Sequence, residues 1–124
     1  MMLSTSHFRA YQDFLTLLTK FIQVADQEKP NLNLSLLQKE FGQLSQCFQT
    51  HIVSLSDRQL DPAHASRWQS VHTEILREFK LLSTDMLFLA SARQDSTQNK
   101  RIKSIVNRLT KLIGYCQIML KNNN

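Results

Sequence analysis

Apolar residues recur at alternating three- and four-residue steps through most of this chain, and that regularity restricts its fold more than any other feature. The first series is Phe8, Tyr11, Leu15, Leu18, Ile22, Ala25. The second is Leu34, Leu37, Phe41, Leu44, Phe48, then His51 or Ile52, then Leu55. The third is Trp68, His72, Ile75, Phe79, Leu82, Met86, Leu89, and the fourth Ile102, Ile105, Leu109, Leu112, Cys116, Met119. Such spacing keeps side chains on one face of a helix, whereas a strand needs alternation with period two, which this sequence lacks. Helices are predicted over 5–28, 34–56, 62–93 and 97–121.

The breaks carry fitting punctuation. Pro30, Asn31 and Asn33 separate the first two series, and Asp61-Pro62 reads as an N-cap followed by proline at the first helical position. Asp95-Ser96-Thr97 offers caps for the last helix, and Lys121 suits the negative end of its dipole. Gly42 and Gly114 fall inside helical patterns, where each costs about 1 kcal/mol relative to Ala, so close helix crossings are expected there. In helix one, Phe14, Leu15, Leu17 and Leu18, repeated a heptad later by Phe21, Ile22, Val24 and Ala25, make a stripe too broad for a two-stranded coiled coil. The prediction is an all-α, antiparallel four-helix bundle with one long third helix, ~45 Å at 1.5 Å per residue, outreaching the others. A three-helix body with a projecting hairpin is the alternative. The 124 residues, only two Gly and two Pro among them, make one helical domain spanning 1–124 and disfavour a turn-rich sandwich or barrel.

Charge is unevenly placed. The chain has 15 basic and 10 acidic residues, net +5, with a pI near 9.5. Residues 1–30 and 31–60 are each neutral, residues 61–92 carry net −1, and residues 93–124 carry seven cations against Asp95 alone. The whole excess therefore belongs to the last helix. No segment reads as a membrane span, and Met1-Met2-Leu3-Ser4 lacks a basic region leading into an apolar run. A cytoplasmic location with Cys47 and Cys116 as reduced thiols is expected.

The residues offer little chemistry. Cys47 and His51 are four apart, half a metal site at best, and His64 and His72 are ~12 Å apart along a helix. His72 falls on the apolar stripe, as a core or boundary histidine does. Glu74 and Glu78 form an i,i+4 carboxylate pair, but Arg67, Arg77 and Lys80 lie near, so ion pairing on a solvated face is expected. Neither a Gly-x-Ser-x-Gly setting nor a phosphate-cradling glycine loop occurs. The expectation is a non-enzyme that calls for no cofactor and no metal.

Two binding readings remain. Lys100, Arg101, Lys103, Arg108 and Lys111 could neutralise phosphates. They spread over the arc opposite Ile102, Ile105, Leu109 and Leu112, which is the pattern of a solvated outer face, so nucleic acid is the weaker reading. Protein contact has the better support. Leu81 and Phe88 lie seven apart off the main stripe of helix three, and Leu36, Val53 and Ile118 also fall away from the inferred core faces. A helix three buried on two sides would account for Leu81 and Phe88 equally. A homodimer with helix three between copies is a third reading.

The run Leu60-Asp61-Pro62-Ala63-His64-Ala65-Ser66-Arg67-Trp68-Gln69-Ser70 continues through Thr73-Glu74-Ile75 to Leu81-Leu82-Ser83-Thr84-Asp85-Met86. Leu87-Phe88-Leu89-Ala90-Ser91-Ala92-Arg93-Gln94 and, in the last helix, Leu112-Ile113-Gly114-Tyr115-Cys116 follow. Together these resemble the cyanobacterial heterocyst frequency control protein (PatD) family over roughly residues 57–120. The resemblance implies a non-enzymatic regulator of heterocyst differentiation that binds FtsZ, the tubulin-like division protein, and modulates its assembly. FtsZ-type proteins are acidic as a family, so a basic helix would speed their encounter. Arg101, Arg108 and Lys111, with Leu81 and Phe88 as apolar anchors, are accordingly the expected partner surface.

Overall fold

The computed structural model describes residues 3–26, 33–58 and 60–121. Four α-helices carry the fold: α1 (Thr5–Ala25), α2 (Leu34–Cys47), α3 (Pro62–Ser91) and α4 (Asp95–Lys121), with a π-helical turn, Phe48–Ile52, continuing α2. No strand occurs among the described residues. The expected end of helix one at 28 and the break at Pro30-Asn31 lie outside the described residues.

Each of the first three helices starts on a capping side chain, which satisfies an amide that the helix itself leaves unpaired. Ser4 Oγ accepts from the His7 amide at 3.2 Å, Asn33 Oδ1 from the Leu36 amide at 3.0 Å, and Asp61 Oδ1 from the Ala63 amide at 3.0 Å. Pro62 stands in the first turn of α3, as its missing N–H requires. The last helix begins earlier than the caps at 95–97 suggest. Asp95 is already helical, and the Gln98 amide closes the first turn on the Gln94 carbonyl at 3.0 Å. Asp95 thus meets the dipole from inside the first turn.

The helices run antiparallel in chain order. Backbones approach closely along α1–α2, α1–α4 and α3–α4. Lys20 Nζ lies 3.6 Å from Glu40 Oε2 across α1–α2, and Asp85 of α3 meets Ser104 of α4, while His7, Tyr11 and Phe14 of α1 meet Trp68, His72 and Phe79 of α3 in parallel order. Large rings span the α2–α3 side. Phe79 is stacked on Phe48 at 3.9 Å between centroids and on Phe41 at 5.7 Å, its plane nearly parallel to both, and Phe14 tilts against it at 6.0 Å. A fourth helix packed this way is a bundle, and no hairpin projects from a three-helix body.

Two expectations need correction. α3, at 30 residues, is the longest helix, but α4 has 27, so at 1.5 Å per residue the two arms are ~45 and ~40 Å and nearly matched. Nor do the glycines mark helix crossings: a Cβ added at Gly42 or Gly114 would meet nothing within 4 Å. The ambiguous step at His51 or Ile52 resolves in favour of Ile52, which is fully buried while His51 is exposed. The π turn decides this. Its wider coil, closed by the Val53 amide on the Phe48 carbonyl at 3.0 Å, brings the residue four places after Phe48 back onto the core face.

Candidate interaction site

Two heptad-spaced rows face each other along α3 and α4. On α3 the row is Glu78, Leu81, Asp85, Phe88; on α4, running the opposite way, it is Arg101, Ser104, Arg108, Lys111. Because i, i+3 and i+7 positions share a helical face, the antiparallel hairpin brings these rows into one seam. All five residues expected at a partner surface lie on it. The structure gives them more specific partners than solvent.

The seam is organised by two buried carboxylates. Glu78 is 0% exposed and Asp85 is 6% exposed. Charges so placed need close partners, since desolvation costs several kcal/mol per ion. Glu78 Oε2 accepts from Arg108 Nη1 at 3.2 Å, and its Oε1 accepts from Arg77 Nη2 at 3.4 Å, with Lys111 Nζ at 3.8 Å. Asp85 Oδ2 accepts from the Ser104 hydroxyl at 2.7 Å and lies 3.6 Å from Arg108 Nε. Its Oδ1 is 3.6 Å from Arg101 Nη1. Arg108 therefore bridges both carboxylates with one guanidinium, and its buried Nε has the ion pair but no hydrogen bond among the described residues.

This changes the reading of the basic helix. Arg108 is not part of a solvated arc; it is a strut between helices. Arg101 and Lys111 pair with the same carboxylates while remaining partly open to solvent. Glu74 bonds Arg77 on the surface at 3.1 Å as expected, but its supposed partner Glu78 turns inward to α4. The i,i+4 spacing lets both glutamates reach Arg77, but it says nothing of α4, whose Arg108 and Lys111 draw Glu78 inward. Glu78, Asp85 and Ser104 are the residues that sequence reasoning misses, although the seven-residue spacing of Glu78 to Asp85 and of Arg101 to Arg108 is the signal that finds them.

The apolar members divide. Leu81 is half-buried, whereas Phe88 is 47% exposed, with the Arg101 guanidinium carbon 4.4 Å from its ring centroid. Leu36, Val53 and Ile118 are exposed as their positions imply. Leu87, which falls on no apolar stripe, is the most open large apolar residue among those described, at 72%.

The opposite side of α3 holds a buried polar ring cluster. The Tyr11 hydroxyl and His72 Nδ1 share a hydrogen bond at 2.8 Å, and His72 stacks on Trp68 at 4.4 Å. His7 donates from Nε2 to the Ser56 carbonyl at 2.8 Å and meets the edge of Trp68. Burial, with His7 nearby, holds the His72 imidazole down at about 4, so it is neutral. Burial also raises the Tyr11 phenol far above its ordinary range. The Trp68 indole N–H has no hydrogen-bond partner among the described residues. These groups seal one another and offer no open reaction centre.

Burial pushes the Cys116 thiol up to about 12 and raises Cys47 as well, so neither is activated. Cys47 and His51 gather no third ligand: among the described residues no group of three metal-binding side chains forms. No helix among them is long and apolar enough to cross a membrane. Comparison of the chain with protein families, curated proteins and solved structures finds no match.

Proposed function

We propose that this protein is a non-enzymatic regulator that works by protein–protein contact through the α3–α4 side of the bundle, and that its partner is FtsZ, as the resemblance to the heterocyst frequency control family implies. The observation that carries the contact reading is Phe88: a large ring nearly half exposed on a well-packed helix, with a guanidinium resting on its face. Aromatic and arginine side chains are the commonest anchors of protein interfaces. Arg101 and Lys111 supply positive charge at the surface of the same seam, Leu81 its apolar floor, and Arg108 the rigid spacing between the helices.

The test is assembly of purified FtsZ with GTP, followed by light scattering and by sedimentation, with and without the protein. Co-sedimentation with a changed polymer mass supports the proposal. Absence of both, with a salt-dependent shift of DNA or RNA instead, replaces it by the nucleic-acid reading. Charge reversal at Arg101 and Lys111 is expected to weaken binding, more at low salt than at high.

A further inference from the structure

A cleft of about 420 Å³ opens between the first turns of α1 and the π turn, lined by Thr5, Ser6, Arg9, Ala10, Asp13 and His51. None of these residues belongs to α3 or α4, so the cleft is separate from the contact surface proposed above. His51 faces it because the π turn that returns Ile52 to the core leaves the preceding side chain outside. Ala10, buried and short, gives the cleft an apolar wall. Arg9 and Asp13 are four residues apart, ~6 Å along the helix at 1.5 Å per residue. Yet neither side chain makes an ion pair or hydrogen bond among the described residues. Their order explains this in part, since an i,i+4 pair is favoured with the acid first, and here the base comes first. The cleft therefore presents an open cation and an open anion one helical turn apart, beside an imidazole and two hydroxyl side chains.

We infer that this cleft binds a small zwitterion, a free α-amino acid, with its carboxylate on Arg9 and its ammonium on Asp13. The ligand class follows from the charges. A molecule that carries both signs at one end satisfies both side chains at once, whereas a simple anion is repelled by Asp13 and a simple cation by Arg9. The guanidinium takes a carboxylate through two parallel N–H bonds, which fixes the ligand along α1. Thr5 and Ser6, one turn before Arg9, flank the carboxylate end, and His51 of the π turn faces the ligand's own side chain with a hydrogen-bonding edge. A metal ion fits less well, because no group of three metal-binding side chains forms among the described residues. This inference stands apart from the FtsZ reading and survives its failure.

Amide NMR of the full chain tests it, with free serine and free glutamine as probes. Two controls each lack one charge: N-acetylserine has no ammonium and serinamide no carboxylate. Saturable shifts confined to residues around 5–13 and 48–53 are expected with the free amino acids, and about tenfold weaker binding with either control. Arg9→Gln and Asp13→Asn should each weaken serine binding by a similar factor. Both side chains are exposed, so these variants keep the fold, which circular dichroism checks. The inference is overturned if neither amino acid moves these amides at about 10 mM. It is equally overturned if N-acetylserine or serinamide binds as tightly as serine, or if both variants bind serine as the parent does.

Discussion

α3 is buried on two unlike sides. Toward α1 and α2 it offers Trp68, His72 and Phe79, which fill space with rings; toward α4 it offers Glu78 and Asp85, which demand partners of opposite charge. The ring side is held by volume, so it is sensitive to lost atoms and indifferent to salt. The charged side is held by pairing, so it is sensitive to imbalance and tolerant of balanced replacement. One helix thus joins a partner by shape and another by register.

The comparison breaks first at Phe79. Phe79→Ala removes the centre of the ring stack and is expected to cost about 4 kcal/mol, read by urea denaturation, with little dependence on salt. Arg108→Met leaves two buried carboxylates without their bridge and is expected to cost about 3 kcal/mol, at the lower end because Arg108 keeps 25% of its side chain exposed. Pairing that change with Glu78→Met should recover most of the loss. If the double variant is as unstable as the sum of its parts, the charged side is held by something other than pairing.

A third measurement addresses the ring side by pH. His72 has a folded value of about 4 against an ordinary 6.5, so above 6.5 both states are neutral and its neutral burial costs nothing. As pH falls below 6.5 the unfolded chain takes up the proton first, and stability drops until the folded imidazole also titrates near 4. By about pH 5 this amounts to about 2 kcal/mol. A difference curve between the parent and His72→Gln isolates it, and a flat difference across that window counts against the burial of a neutral imidazole. The smallest effect has the opposite sign. Gly42→Ala and Gly114→Ala meet open space and should each stabilise the fold by about 0.5–1 kcal/mol, seen as a higher Tm.

The bundle was legible because apolar periodicity survives in every helix, and the caps at Ser4, Asn33 and Asp61 sit where their residue types predict or allow. The seam was less so. Local spacing pairs Glu78 with Arg77, which does reach it, but its further partners Arg108 and Lys111 lie on another helix. Only a match between heptads of opposite sign on two helices expresses that contact. Leu87 stayed hidden for a different reason: it sits between Met86 and Phe88 in a continuous apolar run, where composition suggests core and only the neighbours' packing shows a surface. The glycines misled because a mid-helix Gly signals either close approach or mere tolerance, and sequence does not separate the two.

The π turn at Phe48–Ile52 bears on how this fold can vary in length. A turn that holds about one residue more than an α-helical turn accommodates an extra residue while keeping Ile52 in the core. Descendants of this chain can therefore lose or regain a residue in that stretch with the change contained in one turn. The hairpin of α3 and α4 has no such slack: a single insertion between Glu78 and Asp85 would turn one carboxylate away from Arg108. Heritable changes of length should accordingly collect at the end of α2 and spare the paired arms.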